Sequence, residues 1–298
     1  MIPAYLTQSR ETLETESRRH YQTAYLGDGI ILCRVLGRYL MRADARDLDI
    51  TPHLCLDGFW ESWVTLAIAA RLRAGMRCVD VGANHGYYTL LMADAVGEEG
   101  QVLALEPNPA LADLVRVNAN TNGLGDRVAV IERAASARAD ELVELVMPPA
   151  HAATASICRP PASGDRRLQV LTTTVDEAVS GWPRVDLIKI DAEGAEPAIW
   201  SGMQATVRAN PDLIVFLELT PSAYADPRGF LRTIQASGHR LRYVETDGSL
   251  RATSVDELLA PSHGPEPSPG IAPQVVPEVT PEVTGAGTRW QMLCLSRD

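Results

Sequence analysis

The run VDVGANHG (79–86) places an acid, two glycines and an amide at the end of an apolar stretch, and ALEPNP (104–109) sets a second acid, Glu106, about two dozen residues beyond Asp80. An apolar strand from Cys78 to Val81 that runs into this loop predicts close approach of backbone to a ligand, because Gly82 and Gly86 carry no side chain. A carboxylate at the end of the next strand is where a nucleoside-binding α/β unit holds ribose hydroxyls. Gly82, Ala83, Asn84 and Gly86 are therefore the expected ligand loop, with Glu106 as the ribose ligand. Counted from Gly82, the second and third glycines of a GxGxxG run fall on Asn84 and Tyr87. A diphosphate needs bare backbone at both places. The loop suits a nucleoside without phosphate, with Asp80 and neighbouring acids able to offset any positive charge on it.

A second cluster lies in DLIKIDAEGAEPAIWSGM (186–203). Side chains alternate along a strand, so Lys189 and Asp191 share a face, and Asp191 stands at the carboxyl end, where α/β sheets bind ligands. Glu193 follows in the turn, and the apolar run PDLIVFLE (211–218) ends in Glu218. The same spacing equally allows Asp191 as a helix cap with Lys189 as its ion-pair partner. For chemistry, Asp191 is the first candidate for a base toward a hydroxyl, with His85 and Glu218 as alternates and Lys189 tuning Asp191 or orienting an oxygen. His85 also fits a packing or hydrogen-bonding role, as do Trp60 and Glu61, which could alternatively close over the ligand. Asp191, Glu193 and Glu218 would suit a hard cation. No imidazole or thiol spacing supports a metal, however, and none is expected.

These residues need a scaffold, and its alternation is legible. Strand 77–82, helix 86–96, strand 101–106, helix 109–121 and strand 127–134 form a βαβαβ unit, hence a parallel sheet with right-handed crossovers. Further strands are expected at 141–147, 167–179, 185–191, 212–219 and 239–245, with helices at 194–208 and 227–237. The segment at 288–297 is expected to return as an antiparallel last strand beside 239–245, giving the order 3-2-1-4-5-7-6. Residues 1–57 read as a polar helical arm and a hairpin around Gly37, and 58–260 with 288–298 as one domain. The proline-rich 261–287, with PEVT repeated, reads as a flexible excursion, and the proline-flanked loop at 148–166 as a pocket cover.

Composition narrows the class. An apolar fraction of 46% with 22% charged residues supplies a globular core, and no apolar run approaches a membrane span. A net charge of -11 disfavours nucleic acid. The five cysteines are dispersed without a CxxC pair and the N-terminus lacks a hydrophobic signal core, so a cytoplasmic location is expected.

Taken together, VDVGANHGYYTLL (79–91), GQVLALEPNP (100–109), VRVNANTNGL (115–124), TTVDEAV (173–179), DLIKIDAEGAE (186–196) and PDLIVFLE (211–218) resemble the FkbM family of S-adenosylmethionine-dependent methyltransferases. The resemblance implies a Rossmann-like class I methyltransferase fold with helices on both faces of the sheet. It implies S-adenosyl-L-methionine as cofactor, and most often O-methylation of hydroxyls on sugars or secondary metabolites, with nitrogen of a peptide or amine as the alternative. Carried over by position, it puts Asp80, Gly82, Asn84 and Gly86 in the cofactor loop, Glu106 on the ribose, and Asp191 with Glu193 on the pocket floor. One departure is Ala134-Ala135-Ser136-Ala137 where the family commonly has AxSD, which leaves the adenine contact unassigned. A nicotinamide-dependent oxidoreductase and a non-catalytic cofactor binder remain as other classes. Acceptor identity and oligomeric state carry no signature.

Overall fold

The computed structural model describes residues 4–260 and 291–297, so the proline-rich stretch lies outside the described residues. The chain opens with α1 (Arg10–His20), whose N-cap Ser9 accepts from the Thr12 amide. The expected hairpin is a three-stranded antiparallel meander, β1 (Thr23–Gly27), β2 (Ile30–Val35) and β3 (Tyr39–Asp44). Helices α2 (Thr51–Leu56) and α3 (Ser62–Ala69) follow. The meander is fastened to what comes later by side-chain amides: Asn118 accepts from the Arg42 amide (2.7 Å) and donates to the carbonyls of Arg42 (3.0 Å) and His85 (2.9 Å). Leu13, Val35 and Met41 share one buried apolar cluster with Leu90, Leu91 and Met92. The N-terminal segment therefore contributes to the same core as the sheet.

The main unit begins with β4 (Arg77–Val81), α4 (Tyr87–Val96), β5 (Gln101–Leu105), α5 (Pro109–Thr121) and β6 (Val128–Ile131). The expected third strand, 127–134, is divided: β6 stays in the main sheet, while β7 (Ala134–Ala135) joins β8 (Leu142–Met147) and β9 (Arg166–Thr173) in a separate three-stranded sheet. After α6 (Val175–Ala178) and β10 (Leu187–Ile190), the single helix expected at 194–208 is two, α7 (Glu196–Ser201) and α8 (Gln204–Ala209). The break has a packing cause. A Cβ on Gly202 would lie 2.1 Å from the Ser136 carbonyl oxygen, and Asp176 accepts from the amides of Ala205 (2.9 Å) and Thr206 (2.7 Å), starting α8 afresh.

The chain closes with β11 (Ile214–Leu219), α9 (Pro227–Ala236), β12 (Arg240–Val244), β13 (Leu250–Ala252), α10 (Val255–Leu258) and β14 (Gln291–Ser296). The main sheet has eight strands in the order β6-β5-β4-β10-β11-β14-β12-β13. β14 inserts antiparallel between β11 and β12, and β13 adds an edge strand beyond the seven that the sequence predicts. The four residues of β10, Lys189 included, are all buried, as suits a central parallel strand covered on both faces. The connections run from β4 toward β6 on one side and from β10 toward β11 on the other. The point where the direction reverses is where open α/β sheets form their ligand crevice, at the strands' carboxyl ends.

Candidate functional site

A cavity of about 790 Å³ opens at that reversal, within the range used by small-molecule cofactors. Its floor is the carboxyl ends of β4, β5, β10 and β11. One wall comes from Trp60 and Glu61, and the 148–166 segment contributes Ala153, Thr154, Ala155 and Ile157. That segment is tied across the opening to the N-terminal region: His151 Nδ1 lies 2.6 Å from an Asp49 carboxylate oxygen, and the Leu48 amide donates to the Ala150 carbonyl.

Of the expected site residues, Gly82, Ala83, Asn84, His85, Glu106, Lys189, Asp191, Glu193 and Glu218 all line this one cavity. Asp80 and Gly86 do not. Asp80 is fully buried one layer beneath, where one oxygen accepts from the Thr89 hydroxyl (2.6 Å) and the other faces Lys189 Nζ at 3.9 Å. Burial raises its pKa against the pull of Lys189 and Thr89. Its charged neighbour is the lysine.

The glycines serve the chain itself. A Cβ on Gly82 would sit 1.8 Å from the Asp191 carbonyl oxygen, where β4 and β10 meet, and the backbone there has φ +75. Gly86, at φ +91, faces Val115 at 3.4 Å. Gly82 is required by the neighbouring strand and by left-handed backbone, and Gly86 by left-handed backbone alone.

Glu106 organises the loop around itself. One oxygen accepts from the Asn84 amide (2.8 Å) and the other from the Asn108 amide (2.9 Å). Burial nevertheless pushes its pKa up to about 7, against those two amides. Each carboxylate oxygen keeps a further lone pair, which is what a ribose diol needs.

At the end of β10, Lys189 Nζ donates to Asp191 at 3.0 Å and lies 4.9 Å from the centre of the Tyr88 ring. Burial works against its charge, but Asp191 and Asp80 outweigh that and hold the lysine protonated. One ligand oxygen each from Asp191, Glu193 and Glu218 falls within 4.8 Å of the others, so the three could share a divalent cation or a proton. Burial first and the neighbouring carboxylates second raise Glu193 to about 8 and push Glu218 well above the ordinary range. Glu218 Oε2 is buried without a hydrogen-bond partner. The turn that carries Glu193 is fixed by Glu196, which accepts from the amides of Ala192 (2.8 Å) and Gly194 (3.0 Å). His85 is almost fully buried. Its Nε2 accepts from the Asp44 amide at 3.2 Å, so the neutral ring carries its proton on Nδ1. Burial lowers its pKa, and a neutral ring with Nε2 occupied is a donor rather than a base.

The sequence allows Glu61 either a packing role or closure over the ligand, and it marks neither Asp49 nor Glu196. Glu61 and Asp49 line the cavity from segments remote in sequence. No local pattern marks them.

The reversal point, the carboxylate at the end of β5 and the cavity above them are the features of a Rossmann-like nucleoside-binding α/β fold. The chain belongs to the FkbM family: the Methyltransferase FkbM domain matches residues 80–245, more than half of its length. It is 38% identical over 69 residues to a protein-L-isoaspartate O-methyltransferase of Hyperthermus butylicus, covering 21% of this chain and 29% of that one. It is 31% identical over 96 residues to a catechol O-methyltransferase of Mycobacterium tuberculosis, covering 32% of this chain and 41% of the other. The chain thus spans less than half the length of these curated relatives. Among solved structures it is similar to an O-methyltransferase from Bacillus cereus in complex with SAH (TM-score 0.40, 14% identity, 78% of each chain). It is also similar to a precorrin-6y C5,15-methyltransferase from Geobacter metallireducens (TM-score 0.42, 10% identity, 80% of this chain and 88% of that one). Among the described residues no helix is long and apolar enough to cross a membrane.

Proposed function

We propose that the protein methylates a hydroxyl of a small-molecule acceptor, a sugar or secondary metabolite, and that Asp191 is the base. The observation that carries this reading is the convergence of Asp191, Glu193 and Glu218 at the strand ends, on the opposite side of β4 from Glu106. When bound, S-adenosylmethionine supplies an electrophilic methyl group. The chain's own contribution is to hold acceptor and methyl in a near-attack arrangement and to take the hydroxyl proton. Lys189 donates to one Asp191 oxygen, which fixes the carboxylate beside Glu218. Glu193 and Glu218 hold protons near neutrality, and Glu193 becomes free to take one as the pH rises through about 8.

A second reading, methyl transfer to an amine or peptide nitrogen, is favoured by the charge of the cavity: six lining carboxylates (Asp49, Glu61, Glu106, Asp191, Glu193 and Glu218) face the single lysine Lys189. A panel of sugars, phenols and amines incubated with S-adenosylmethionine, read as S-adenosylhomocysteine formed, separates the two. Methylation of hydroxyl acceptors, lowered by at least about a hundredfold in Asp191→Asn as for a lost general base, supports the first reading. Turnover confined to amines, or undiminished in Asp191→Asn, contradicts it.

A further inference from the structure

We propose that Glu61, supplied by the segment ahead of the matched domain, binds the α-ammonium of the cofactor's methionine tail. The inference rests on S-adenosylmethionine being the ligand of this cavity and adds which side chain holds its charged end.

Glu61 is the N-cap residue of α3, yet its side chain makes no capping hydrogen bond. Its backbone is left-handed, with φ 37 and ψ 64, a conformation that costs a non-glycine residue about 1–3 kcal/mol and persists where surrounding structure demands it. Helix capping therefore does not explain the residue. The turn instead brings Glu61 to the cavity wall, where the Tyr88 hydroxyl donates to its Oε2 at 2.9 Å. Because the Tyr88 ring also packs against Lys189 at 4.9 Å, Glu61 belongs to the β10 side of the 82–86 loop. Glu106 belongs to the β5 side. The two carboxylates bracket the loop that a nucleoside with an amino-acid tail must cross, and ribose hydroxyls at Glu106 direct that tail across β4 toward Tyr88 and Glu61.

Charge completes the argument. Among the described residues no cation lies within ion-pair distance of Glu61, and Lys189 is engaged by Asp191 and Asp80. Burial and the nearby Asp191 raise Glu61 to about 7 against the Tyr88 hydrogen bond, the charge of Lys189 and a hydrogen bond from Trp60. A half-buried carboxylate whose nearby cation, Lys189, is already engaged by two aspartates is stabilised when a further cation is brought to it. An alkylammonium with three N–H donors meets that need.

The test is isothermal titration of the full chain and of Glu61→Gln and Glu61→Asp with two probes. S-adenosylhomocysteine carries the ammonium, whereas 5′-methylthioadenosine keeps the adenosine and thioether but lacks the amino-acid end. The expected result is an S-adenosylhomocysteine affinity at least tenfold weaker in Glu61→Gln and less affected in Glu61→Asp, with 5′-methylthioadenosine affinity unchanged in both. Unchanged 5′-methylthioadenosine binding also shows that the variants are folded. The proposal is overturned if Glu61→Gln binds S-adenosylhomocysteine as the parent does, if both probes weaken equally, or if the Asp and Gln variants lose the same affinity. Failure of the parent protein to bind either probe would instead remove the cofactor assignment on which the proposal stands.

Discussion

Lys189→Met removes the cation between Asp80 and Asp191 while keeping most of the side-chain volume. The lysine side chain is 3% exposed and Asp80 is 0% exposed, so the Asp80 carboxylate is left in the interior with the Thr89 hydroxyl as its hydrogen-bond donor. Breaking a buried pair by deleting one partner costs about 3–5 kcal/mol. Asp191, 27% exposed, adds little, since water screens it. The loss should depend on pH. In the unfolded chain an aspartate ionises near pH 4, about its ordinary value. In the folded protein burial already raises Asp80, and without Lys189 it rises further. Between those two values the folded state binds more protons than the unfolded state, so stability is full below the unfolded value and falls as the pH climbs through the folded one. Urea denaturation followed by tryptophan fluorescence, at pH 5 and pH 8, should show the variant's deficit near 3–5 kcal/mol at the higher pH and clearly smaller at the lower. A deficit under about 1 kcal/mol at pH 8, the size of an exposed pair, or one equal at both pH values, would refute the reasoning.

Two further substitutions probe the scaffold. Gly82→Ala would set a methyl group 1.8 Å from the Asp191 carbonyl oxygen in left-handed backbone; because the sheet register holds both strands, thermal unfolding should report a loss above about 3 kcal/mol, among the large single-site effects, and a loss under about 1 kcal/mol would show that the strands can separate. Asn118→Leu would strip partners from the Arg42 amide and the Arg42 and His85 carbonyls; at about 1–3 kcal/mol for each buried group left unsatisfied, denaturant unfolding should show a loss of several kcal/mol, and hydrogen exchange should show β3 losing protection first.

The central strands were legible because parallel strands buried on both faces are written as short apolar runs: RCVDV, QVLAL and LIKI match β4, β5 and β10 closely. The acids at their ends, Glu106 and Asp191, were legible for the same reason, since a strand's end fixes where its last side chain stands. Depth was not. Asp80 sits two residues before the loop, and only the presence of Lys189 on the neighbouring strand shows that it faces inward to a lysine. Nor was the purpose of Gly82 readable, because the atom that excludes a side chain belongs to Asp191, more than a hundred residues away. Glu61 shows the limit most clearly: its left-handed turn and its place on the cavity wall depend on how α3 packs, and a glutamate before a helix carries no such mark. The same holds for Cys33 and Cys55, whose sulfurs lie 3.4 Å apart although their spacing shows no motif.

The most direct test of the account is a crystal structure of the protein soaked with S-adenosylhomocysteine. The account predicts the ribose hydroxyls within hydrogen-bond distance of Glu106, about 2.6–3.2 Å, and the sulfur above the carboxyl ends of β4 and β10, on the side facing Asp191. A nucleoside bound elsewhere, or seated in the cavity with its ribose turned away from Glu106, would contradict it.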